Sequence, residues 1–130
     1  MVDDGHDISD FRDAIESLLL DGEVLEAAFP AETSSDAHGQ NALGITSHRM
    51  IHCERALKKG SQDHWVFRSI LYSQVEGLEL IRHETFRRDR IEAWSAVDLK
   101  VRRDGFHWHY ADVAMAREVH DRILARMLAV

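Results

Sequence analysis

Residues 44–54 read GITSHRMIHCE, and how they are read decides the fold. To the left, Leu43 and Ile45 lie two apart; to the right, Ile51 and Cys53 lie two apart. Spacing of two is that of one strand face, because successive side chains of an extended chain point to opposite sides. A helix would need apolar residues three and four apart. Ser47-His48 divides the two runs without proline or spacer, so the stretch predicts an antiparallel hairpin turning there.

Strand patterns continue on both sides. Val24, Ala27, Ala28 and Phe29 give a short strand ending at Pro30, and AETSSDAHGQN at 31–41 reads as a polar loop. KKGSQD at 58–63 is a turn, followed by the apolar strand of Trp65, Val66, Phe67, Ile70 and Leu71. Tyr72-Ser73-Gln74 interrupts it before Val75, Leu78, Leu80 and Ile81. ETFRRDR at 84–90 reads as a charged connection. Ile91, Ala93, Ser95, Val97, Leu99 and Val101 then alternate with polar neighbours, the clearest half-buried strand in the chain. Asp104-Gly105 signals a hairpin turn, and Phe106, Trp108 and Tyr110 alternate with His107 and His109 beyond it.

Both ends read as helical. Ile8, Phe11, Ile15, Leu18 and Leu19 recur at helical spacing, with Asp7 or Ser9 as N-cap candidates and Gly22 as terminator. This predicts a helix from about residue 9 to about residue 20, within a segment 8–21 that follows a disordered start at 1–7. At the other end Asp112 caps a stripe of Ala116, Val119, Ile123, Met127 and Val130. The expected class is α+β, with one domain over 22–130.

Composition bounds the function. With 130 residues, one proline and seven glycines there is one domain and no room for a linker. The single cysteine, Cys53, has no internal disulfide partner, and no long apolar run is present. A cytoplasmic location is the expectation. Residues 1–40 carry a net charge of −10 and residues 41–130 a net of +3. The acidic front repels phosphate, so nucleic acid is not an expected partner.

The order of elements, with Gly22-Glu23, Gly44-Ile45-Thr46-Ser47-His48-Arg49-Met50-Ile51 and Ile70-Leu71-Tyr72-Ser73-Gln74-Val75, resembles the bacterial pleckstrin-homology-like (PH-like) domains over residues 22–129. The resemblance implies a bent antiparallel seven-stranded barrel capped by the C-terminal helix, the N-terminal helix being an addition. It also implies a binding or assembly module, since the fold itself specifies no ligand. Relatives that bind inositol phosphates use Lys and Arg of the first hairpin loop. Here that loop holds Glu32 and Asp36 and no Lys or Arg, so phosphoinositide membrane binding is not expected.

Nine histidines raise a metal alternative, with His107 and His109 on one strand face and His64, His83 or Asp112 as third ligand. The plainer reading makes His107 and His109 the solvent-side neighbours of Phe106, Trp108 and Tyr110. Cys53 shares the Ile51 face and not that of His52, so it reads as a buried hydrophobe rather than an activated nucleophile. Lys58, Lys59, Arg87, Arg88 and Arg90 form two basic clusters, a candidate anion patch or merely solvated turns. Trp94 stands on the polar face of its strand, as an interface anchor or beneath the N-terminal helix. The leading expectation is a non-catalytic module without cofactor that self-associates or docks a protein, through Trp94 and through Phe11 and Ile15 of the added helix. The alternatives are a small metal-dependent enzyme built on the histidines and a membrane-surface adaptor built on the basic loops.

Overall fold

A computed structural model describes residues 8–33, 41–58, 62–87 and 89–129. Helix α1 (Ser9–Glu16) is followed by strands β1 (Leu25–Pro30), β2 (Asn41–Thr46), β3 (Arg49–Lys58) and β4 (Gln62–Leu71). A 3-10 turn, Tyr72–Gln74, leads to β5 (Val75–Arg87), β6 (Arg90–Val101), β7 (Asp104–Tyr110) and helix α2 (Val113–Leu128). All pairings are antiparallel, in a four-stranded sheet β1-β2-β3-β4 and a three-stranded sheet β5-β6-β7. The two sheets are not closed into a barrel, which corrects the expected shape. Between β7 and the segment after β1, the His109 N–H donates to the Glu32 carbonyl at 2.7 Å.

The expected hairpin is present, with Ile45 opposite Met50 across the turn. Thr46 Oγ1 fixes that turn by accepting from the backbone N–H of His48 (3.1 Å) and Arg49 (2.9 Å). The same hydroxyl donates to Glu23 Oε2 at 2.6 Å. Arg49 reaches Glu23 with two nitrogens, Nε at 3.0 Å and Nη2 at 3.1 Å. Such a forked contact is among the stronger polar interactions available to a protein. Arg49 also donates to the Leu18 carbonyl beyond α1 (3.1 Å) and to Ser69 Oγ on β4 (2.7 Å). Tyr72 closes the cluster by donating to the Thr46 carbonyl at 2.7 Å. The residues that carry the family resemblance therefore meet in one buried clasp.

Leu43, Ile45, Met50 and Ile70 face the interior, opposite Val97, Leu99, Trp108 and Tyr110, with Ala116, Val119 and Ile123 of α2 in the same cluster. Asp112 caps α2 by accepting from the N–H of Ala114 and Met115, as expected. Ile51 and Cys53 share a face as read, but it is the outer one. That face is buried beneath α1, where Phe11 and Ile15 pack on Ala42, Ile51 and Cys53. Gly44 permits the approach, since a Cβ there would lie 3.1 Å from Ile15. Phe11 meets Trp65 edge-on at 5.4 Å, and the Arg55 guanidinium lies 5.0 Å from the Trp65 ring. Phe11 and Ile15 are thus buried in their own chain, and no exposed apolar surface of theirs remains for a neighbour.

Four expectations are corrected in detail. Helix α1 stops at Glu16 rather than near residue 20, and its N-cap is Ile8, without a side-chain cap; Asp7 lies outside the described residues. Gly22 does take a left-handed φ of 80°, but in the turn from Leu20 to Glu23. Residues 84–87 extend β5, pairing as far as Arg87 with Arg90, because a hairpin arm needs no apolar face to satisfy its backbone. The β6–β7 turn is Arg102-Arg103, not Asp104-Gly105. Turning two residues earlier preserves both inward faces and adds the Val101–Asp104 pair. The cost is a left-handed Arg102 (φ 50°), about 1–2 kcal/mol.

Ile45→Asp should abolish soluble folding, because it buries a carboxylate in the interior cluster. Phe11→Ala removes side-chain burial worth about 3–5 kcal/mol, so maleimide labelling of Cys53 in the folded protein should accelerate more than tenfold. An unchanged labelling rate would contradict the placement of α1 over Cys53.

Candidate functional site

Helix α2 packs against the interior side of the three-stranded sheet, and α1 packs against β2 and β3 of the other sheet. The outer face of β5-β6-β7 is covered by neither helix. Alternation places Trp94, Ala96, Asp98 and Lys100 of β6 on that face. Register brings His83 opposite Trp94, Glu79 and His107 opposite Asp98, and Gly77 and Gly105 opposite Lys100.

Trp94 is half-buried between two imidazoles, with His83 and His109 each 4.9 Å away by ring centres. Burial, and then neighbouring His107, hold His109 below the ordinary histidine range, so it favours the neutral ring. Next along the face, His107 Nδ1 and Asp98 Oδ1 are in close contact. Beyond them lies a shallow depression of about 430 Å³ over Gly77, Lys100 and Gly105, bordered by Glu79, Asp98, His107 and the turn residues Arg102 and Arg103. It is a flat face with one aromatic end, one basic end and a bare strip between.

The site residues expected from sequence fall into three groups. Trp94 is on this face and is not beneath α1. His107 and His109 do share a strand face, as both readings held. Their expected metal partners are not assembled: His83 packs tilted against Trp94, Asp112 caps α2, and His64 lies on β4 of the other sheet. Among the described residues no group of three His, Cys, Asp or Glu is placed to hold a metal ion. Of the basic clusters, Lys58 ends β3 while Arg87 and Arg90 close the β5–β6 hairpin, so they sit on separate sheets; Lys59 and Arg88 lie outside the described residues. Cys53 is buried, and burial pushes its thiol up to about 11, which keeps it protonated.

Sequence reading missed the imidazole stack, because it depends on cross-strand register rather than on spacing. It also missed the Arg102-Arg103 turn, masked by the stronger Asp104-Gly105 signal.

No family model and no curated protein matches this sequence. A solved structure does. The crystal structure of a pleckstrin homology domain from Shewanella amazonensis SB2B superposes with a TM-score of 0.58 at 15% identity, covering 94% of this chain and 99% of that one. The chain has the PH-like fold. At that identity the likeness carries the fold and nothing about ligand. In this PH-like chain the strand order and C-terminal helix are as the resemblance implied, and α1 is accounted for as cover for β2 and β3. No helix among the described residues is long and apolar enough to cross a membrane.

Two titrations tie the fold to pH. His52 lies on the interior face of β3 against Phe106 and Trp108, at 5.5 and 5.9 Å. Burial holds it below the usual value of 6.5, with Glu54 opposing and Arg68 adding to the shift. The hydrogen bond from Arg49, against opposition from burial, brings Glu23 from 4.5 to about 2; Thr46 and the Leu20 N–H assist. Both are depressed in the folded state, so their contributions are complete above the unfolded values and are lost as pH falls. Stability in urea should therefore decline as pH falls below about 6.5 through His52, and again below about 4.5 through Glu23. His52→Phe should lessen the upper decline, leaving the part due to His109, and leave the lower one. A variant that keeps the upper decline in full would assign it to other histidines.

Proposed function

We propose that this PH-like chain is a non-catalytic assembly module that docks through the outer face of β5-β6-β7, and that it self-associates there. The observation that carries the reading is Trp94: half-buried, bracketed by His83 and His109, on a sheet face that neither helix covers. A tryptophan so placed is the kind of residue that anchors protein contacts. The other expected anchors, Phe11 and Ile15, are spent inside the chain, so of the three Trp94 remains. Phosphoinositide recognition is not part of this reading, since the first hairpin loop carries no Lys or Arg.

Light scattering at micromolar concentration should give more than one chain per particle, and Trp94→Ala should lower that number with the circular dichroism unchanged. Deleting residues 1–7 should leave the number as it was. A particle that keeps one chain's mass when concentrated would overturn the reading.

A further inference from the structure

The outer face of β5-β6-β7 is organised in rows across the sheet, and adjacent rows differ in height and charge. Asp98 stands between Glu79 and His107, in close contact with the His107 ring, a ridge three side chains wide that carries two carboxylates. Two residues along β6, Lys100 stands between Gly77 and Gly105, which have no side chains. A Cβ at Gly77 would meet only Lys100 Cβ at 3.7 Å, and one at Gly105 only the Leu99 carbonyl at 3.9 Å, so this row is an open trough with a cation in it. It forms the floor of the depression of about 430 Å³. Beyond the trough, Arg102 and Arg103 are exposed; among the described residues neither they nor Lys100 makes an ion pair. In the other direction from the ridge comes Ala96 between Ile81 and His109, and then Trp94, which His83 and His109 bracket.

We propose that this face is complementary to itself: a second copy of the chain packs its own outer sheet face here, about a two-fold axis crossing β6 between Asp98 and Lys100. The inference rests on the docking role of Trp94 and adds the occupant and the geometry. Rotation about that axis reverses the order of rows. The acidic ridge of each copy enters the cationic trough of the other, so Asp98 meets the second copy's Lys100 twice, as an isologous contact requires. The Arg102-Arg103 turn of each copy comes over the small Ala96, between Ile81 and His109, and reaches the second copy's Trp94. There the flat guanidinium can pack on the rings. A two-fold axis running along β6 would instead set arginines over arginines and Asp98 over Asp98, which like-charge repulsion disfavours. A partner of one charge sign would leave either the ridge or the trough unmatched. A second copy matches both.

The test is a charge exchange between Asp98 and Lys100, both on the surface and neither in the interior cluster. Asp98→Lys alone and Lys100→Asp alone each create two like-charge contacts, so each variant should associate at least tenfold more weakly than the native chain, with its circular dichroism unchanged. Mixed in equal amounts, the two variants should form a heterodimer near native affinity, because both contacts then pair opposite charges. Arg102→Ala with Arg103→Ala should weaken association without affecting folding. If the mixture associates no better than either variant alone, or if the single variants associate like the native chain, this geometry is overturned. Should Trp94→Ala still lower the particle mass in that case, docking through Trp94 stands with a different partner geometry. A native chain that stays at one chain's mass removes both.

Discussion

The fold depends on the contact between Glu23 and Arg49. Glu23 has no exposed side-chain surface and accepts from Arg49, Thr46 and the Leu20 N–H. A buried carboxylate is tolerated only when paired and fully hydrogen-bonded. This one meets that condition because the turn after α1 and both arms of the β2–β3 hairpin converge on it, while β4 holds Arg49 through Ser69. Through Arg49 the clasp holds the Leu18 carbonyl, and through Thr46 it fixes the Ser47-His48 turn. The position of α1 over β2 and β3 follows from it, since the chain leaves α1 only a few residues before Glu23. With α1 in place, the outer face of the four-stranded sheet is closed, and the uncovered sheet face is the other one.

That arrangement explains what could be read from the sequence and what could not. The hairpin at Ser47-His48 was legible because Leu43 and Ile45 face one cluster and Ile51 and Cys53 another, and a period of two survives burial on both sides. The stripe of α2 and the alternation of Phe106, Trp108 and Tyr110 were legible for the same reason: one face is apolar and the other is not. The short α1 was overextended because Leu18 and Leu19 continue the helical spacing after the helix has ended. Arg49 takes the Leu18 carbonyl there, and no local signal announces a cap supplied from thirty-one residues away. The β5–β6 arm was read as a connection because its charges suit a loop equally well, and only pairing to a partner strand distinguishes the two.

The candidate site was half legible. Trp94 stands out in sequence as an indole on a polar face, and its placement agrees with that. The bracketing by His83 and His109 depends on which residues oppose which across three strands, and this is set by the Arg102-Arg103 turn. A turn at Asp104-Gly105 would have shifted the β6–β7 pairing by four residues, setting His109 opposite Lys100 and away from Ala96 and Trp94. Left-handed strain at Arg102, about 1–2 kcal/mol, is the local cost of the register that builds the stack. It also places two arginines, rather than Asp-Gly, at the rim of the depression.

The claim on which the most depends is that Glu23 and Arg49 act as a coupled pair rather than as two separate surface contacts. A double-mutant cycle in urea with Glu23→Gln, Arg49→Gln and both together measures this directly at neutral pH. The account predicts a coupling energy of about 2 kcal/mol or more, with Arg49→Gln the more damaging single change because it leaves a buried carboxylate without its cation. Additive effects of the two substitutions would contradict it.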